Sequence, residues 1–135
     1  GATILNATIQ FQTDNTGSED VELTIYGELT ENAATFEDHP SLYNISDRQT
    51  TTANAVWSVP PWLNEGDRGA AQRTVDLSEI LTEIIGQPGW VSGNSIVFIM
   101  KPSGPSIGYT SSSGGREATA DVGDGAAELT IVYDE

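Results

Sequence analysis

Apolar and polar residues alternate in most of the chain's hydrophobic stretches, and period two is the signature of half-buried strands. From Ile4 to Gln12, Leu5, Ala7, Ile9 and Phe11 fall on one face, with Asn6, Thr8, Gln10 and Gln12 on the other. Val21, Leu23 and Ile25 alternate with Glu22, Thr24 and Tyr26 in a second strand. The acidic segment Asp14–Asp20 between them reads as a turn, so the two are expected to pair as a hairpin. Ala55, Trp57 and Val59 share a face in a strand over 53–59 that Pro60 and Pro61 stop. Asn64–Gly69 reads as an acidic turn. Ile96–Met100 is a continuous apolar run, expected as a central strand covered on both faces. Arg116–Ala120 reads as a short strand, and Leu129, Ile131 and Tyr133 alternate in the last one.

One segment has helical spacing instead. Leu77, Ile80, Leu81, Ile84 and Ile85 make a single apolar stripe. Asp76 precedes it and Glu79 stands three residues on, the Asp form of a capping box. Gly86 is placed for a left-handed cap, and Pro88 prevents continuation. A helix over 76–85, packed by one face on a sheet, follows. Glu28–Thr52 is polar, lacks clean periodicity and reads as a long excursion, while 102–115 is a Ser, Gly and Pro loop. Many short strands with Gly turns and one helix predict a mostly β domain: an antiparallel β-sandwich, jelly-roll-like, with one short α-helix.

Composition narrows the function. The chain has 135 residues, which suits one domain over 1–135. Five Lys and Arg stand against 20 Asp and Glu, a formal net charge of −15. That balance argues against nucleic acid, which needs a basic face, and against anionic membrane surfaces. No apolar run approaches the ~20 residues of a membrane helix. With no Cys, disulfides and thiolate chemistry are excluded. An acidic, Cys-free chain rich in Thr, Ser, Asn and Gly fits a secreted bacterial surface domain, where bound Ca²⁺ often replaces disulfides. Asp14, Thr16, Ser18 and Asp20 alternate around Gly17, a spacing that lets oxygens curl about a hard cation, and Asp121 and Asp124 add two carboxylates in a second loop. These six are the candidate calcium ligands. A solvated turn is the plainer reading of the same residues.

Nothing in the sequence marks an enzyme. His39 is the lone histidine and no nucleophile motif, phosphate loop or paired-His metal motif is present. Sugar binding needs aromatic faces beside polar groups. Trp57 lies on an apolar strand face and Trp90 follows the helix stop, so both are assigned to the core. Trp62 opens a polar turn, and Tyr43 and Tyr109 lie in Ser, Asn and Gly-rich loops. Those three form the candidate carbohydrate platform, although loop packing is the commoner fate of such side chains. Arg48 and Arg73 are expected to form internal ion pairs or to bond backbone carbonyls.

Several stretches carry a resemblance. Gly1–Ile4 leads into Ala7–Phe11; Leu23–Glu28, Asp47-Arg48 and Val56–Trp62 follow; Gln72–Ser78 runs through the helix to Gln87–Trp90; Ser92–Ser95 and Leu129–Tyr133 complete the set. The chain resembles carbohydrate-binding-module-like β-sandwiches of secreted bacterial surface proteins, in the style of DNRLRE domains. The resemblance implies a non-catalytic extracellular module with a polysaccharide or other surface glycan as partner. The alternative is a structural or adhesive repeat, or a strand-donating fibre subunit. Domains of the resembled type carry a further extended segment before the Gly-Ala-Thr-Ile stretch. Either that segment has been trimmed from the chain, or the strand is missing, in which case an unfilled groove and homo-assembly through an open sheet edge are expected.

Overall fold

The computed structural model describes residues 2–37, 45–108, 115–120 and 123–135. The chain is mostly β. Its strands are β1 (Thr3–Gln10), β2 (Thr13–Asn15), β3 (Val21–Glu28), β4 (Thr50–Val59), β5 (Phe98–Pro102), β6 (Glu117–Ala118) and β7 (Glu128–Asp134), with helix α1 (Ser78–Ile85) between β4 and β5. They form three separate antiparallel sheets, ordered β1-β7, β2-β6 and β4-β3-β5.

The expected hairpin between the first two long strands does not form. β1 pairs with β7, placing Ala7 opposite Ile131 and Ile9 opposite Leu129. β3 pairs with β4 and β5. The segment between them is drawn elsewhere. β2 pairs with β6, and Gly17 exchanges both backbone hydrogen bonds with Trp62, at 2.9 and 2.8 Å. Those contacts carry the chain across to the other sheet.

Alternation holds where strands meet the core. Val21 and Ile25 of β3 and Trp57 and Val59 of β4 are buried, with Ala7 and Ile9 of β1 in the same cluster. β1 departs from strict period two at its start. A bulge between Ile4 and Asn6 turns Ile4 toward the core and leaves Leu5 57% exposed. The apolar run also differs from expectation. β3 is the central strand, and β5 begins only at Phe98 and is hydrogen-bonded to β3 alone among the described residues. Ile96 still packs against the core ahead of the strand.

The helix stripe is as its spacing predicts. Leu77, Ile80, Leu81 and Ile84 are each 1% exposed. α1 packs on β1, β3 and β4. It starts two residues later than expected, yet Asp76 still serves its first turn, accepting the Ser78 amide at 3.0 Å and the Ser78 hydroxyl at 2.6 Å. Gly86 is right-handed at φ −74°, not left-handed, because the chain continues into a further turn in which the Gln87 amide donates to Ile84 O at 3.2 Å. Trp57 is 4% exposed and Trp90 is half-buried against the core, as expected. No helix among the described residues is long and apolar enough to cross a membrane.

Candidate functional site

The segment 72–77 runs beside β1 and completes its inner edge. Phe11 N donates to Gln72 O at 2.8 Å and Leu77 N donates to Ala7 O at 2.8 Å. Two side chains act in place of backbone: Ile9 N donates to Thr74 Oγ1 at 2.9 Å and Ala7 N to Asp76 Oδ1 at 2.9 Å. The backbone groups of Ala7, Ile9 and Phe11 are thereby used on this edge. Those of Asn6, Thr8 and Gln10 face β7, because successive residues of a strand point their polar groups to opposite sides.

The same alternation sorts the side chains. Ala7 and Ile9 go inward, so Asn6, Thr8 and Gln10 project outward, beside Thr130 and Glu128 of β7. Arg68 and Arg73 reach this outer face from the chain that wraps around β1. Together these residues line an open groove of about 520 Å³. Gln10 organises it. Its amide donates to Gly69 O at 2.9 Å and Phe11 O at 3.1 Å, and its oxygen accepts from Arg73 Nε at 2.9 Å. Arg68 is anchored through Nη1 on Ala126 O at 3.0 Å, with Glu128 3.8 Å from its Nη2. The Nη groups of Arg73 have no hydrogen-bond partner among the described residues. Two of the chain's five basic residues thus meet at one groove in a protein of net charge −15. Hydroxyls, amides and a guanidinium with free donors suit an oxygen-rich ligand.

The sequence-derived candidates lie elsewhere. Trp62 is 2% exposed, packs near Phe11 with ring centroids 6.4 Å apart, and donates Nε1 to Ala71 O at 3.0 Å. It has little ring surface left for a sugar. Tyr43, Tyr109, His39 and Asp121 lie outside the described residues. Asp14, Thr16, Ser18, Asp20 and Asp124 are exposed.

The acidic loop is organised by a cation of the chain's own. Arg116 donates through Nη2 to Glu19 O at 2.7 Å, through Nε to Pro60 O at 3.0 Å and through Nη1 to Gly115 O at 2.9 Å. Burial lowers its pKa, opposed by the charges of Asp20 and Glu19. Among the described residues no three His, Cys, Asp or Glu side chains are grouped to hold a metal ion.

Arg48 forms the expected internal ion pair, with Glu28 at 2.6 Å, and lies 4.0 Å from the centre of the Phe36 ring. Arg73 bonds a side-chain amide instead of a carboxylate or a backbone carbonyl. Arg68 was not legible as a site residue. Asn6, Thr8 and Gln10 were legible only as the polar face of a strand and not as a site, because the groove depends on which strand and loop flank them.

No known protein family, curated protein or solved structure matches the chain.

Proposed function

We propose that the chain is a non-catalytic β-sandwich module of a secreted or cell-surface bacterial protein, binding a polysaccharide or other surface glycan through the outer face of the β1-β7 sheet. One observation carries the reading: Asn6, Thr8, Gln10, Arg73 and Thr130, with Arg68 and Glu128 beside them, line one open groove in which the Nη donors of Arg73 have no partner among the described residues. Neutral sugars are held by such amides, hydroxyls and guanidinium groups through their own hydroxyls, and carboxylated sugars gain a charge-assisted bond as well. The test is a glycan array followed by calorimetric titration. Binding is expected to be lost on Arg73→Ala and reduced on Gln10→Ala, with an unchanged circular-dichroism spectrum. If no neutral or uronic-acid glycan binds at millimolar concentration, the reading fails.

The second reading is a structural or adhesive unit. A different observation favours it: β7 is hydrogen-bonded on one side only among the described residues, although three of its residues are large and apolar on its core-side face.

A further inference from the structure

β7 pairs with β1 through the backbone of Glu128, Thr130 and Val132, which stand opposite Gln10, Thr8 and Asn6. The backbone N–H and C=O groups of Leu129, Ile131 and Tyr133 consequently point the other way. Among the described residues none of these three makes a backbone hydrogen bond outside the sheet. Their side chains share the core face with Ile9, Ala7 and Ile4, yet remain 38%, 37% and 56% exposed. An edge that carries unpaired backbone and half-covered apolar side chains is a template for another strand. Of the devices that usually blunt such an edge, β7 has no Pro, no Lys and no bulge on its own strand, and carries charge only at its two ends, Glu128 and Asp134.

Charge selects the occupant. β7 begins at Glu128 and ends at Asp134, with Glu135 beyond. A second copy laid antiparallel about Ile131 would set Glu128 opposite Asp134 at both ends, and would join two chains of net charge −15. Like charges directly opposite are unfavourable, whereas opposite charges there are stabilising. We propose that the free edge of β7 accepts an extended segment of a partner polypeptide, apolar at alternate positions and basic at both ends, as the next strand of this sheet. The proposal rests on the structural-unit reading and adds the chemistry of the partner.

The experiment uses the whole chain and two labelled peptides matched to the seven residues of β7, Lys-Val-Thr-Val-Thr-Val-Lys and its counterpart with Glu at both ends. Fluorescence anisotropy reads binding, and sedimentation reads self-association. The basic peptide is expected to bind about tenfold tighter than the acidic one at low salt, and exchange of the Leu129, Ile131 and Tyr133 amides is expected to slow. Ile131→Pro removes an N–H that faces away from β1, so binding should vanish with the fold retained. The double variant Glu128→Lys with Asp134→Lys should reverse the preference even if the proline variant fails to fold. Equal binding of both peptides overturns the charge rule and leaves the structural-unit reading standing. Binding of neither removes the support for both. Self-association through β7 in place of peptide binding makes a second copy the occupant and overturns the proposal.

Discussion

Ile84 closes over Gly27. A Cβ at position 27 would stand 2.5 Å from Ile84 Cδ1 and 2.8 Å from Ile80 Cγ2, too close for non-bonded carbons unless the helix side chains shift. The glycine is what lets α1 settle on β3, and the buried stripe of the helix depends on it. Gly27→Ala is expected to destabilise the protein by about 1–3 kcal/mol through overpacking. Ile84→Val removes the nearer of the two clashing carbons, so the double variant should lose less than the sum of the two single changes. Urea unfolding checks both, and strict additivity would mean that the two positions do not meet.

Asp76 ties the start of α1 to β1, two elements far apart in sequence, by accepting the amides of Ala7 at 2.9 Å and Ser78 at 3.0 Å. Burial acts to raise its pKa, but bonds from Ser78, Ala7 and Leu77 outweigh that and hold it below the ordinary aspartate value. A lowered pKa gives stability that is present above the unfolded aspartate range, near pH 3.9, and is lost as pH falls through the folded value. Acid unfolding followed by tryptophan fluorescence should therefore be less steep below pH 4 in Asp76→Asn. Asp76→Ala, which orphans the Ala7 amide, should cost about 1–2 kcal/mol at neutral pH.

Arg48 and Glu28 are largely shielded from solvent, with side chains 10% and 14% exposed, and they meet at 2.6 Å. Arg48→Met leaves Glu28 without that partner, and a loss of about 2–4 kcal/mol is expected. Replacing both by apolar residues of similar size should restore much of it. Thermal denaturation of the single and double variants separates these outcomes. A neutral single variant would mean that the carboxylate stays hydrated without its partner.

Arg116 ties the loop after β2, through the Glu19 carbonyl, to Pro60 at the end of β4. Arg116→Leu is expected to loosen residues 16–20 and raise their amide exchange, while the Asp76 region, which shares no hydrogen bond with Arg116, keeps its protection. Uniform loss of protection would instead assign Arg116 to the stability of the whole fold.

Local pattern was enough for the long strands and the helix, because burial selects side chains by period wherever an element meets the core, but it left Asp14 and Asn15 of β2 inside the segment read as a turn. Trp57, Ile25 and Ile84 were placed by that rule alone. It did not reveal partners. β1 was assigned to the wrong neighbour because alternation says which face is inward and nothing about which edge is joined. Nor did it find the bulge at Leu5, since an extra residue in one strand leaves no mark on composition. The outer face of β1 was legible as polar, but Arg68 and Arg73 come to it through a loop path set by the Gln10 side chain, the Phe11 amide and the carbonyls of 125–126. Aromatic residues in polar segments were a poor guide, as Trp62 shows. Two prolines and a polar turn surround it in sequence, yet the Gly17 backbone and Phe11 enclose it in space.

The groove over Asn6, Thr8, Gln10, Arg68, Arg73 and Thr130 is proposed as the glycan site. Titration of the isotope-labelled protein with glycans selected on the array tests it most directly, through amide and guanidinium chemical shifts. The account predicts saturable shifts at Thr8, Gln10, Thr130 and the Arg73 side chain, abolished by Arg73→Ala. Saturable shifts confined to other surfaces, with Arg73 unmoved, would contradict it.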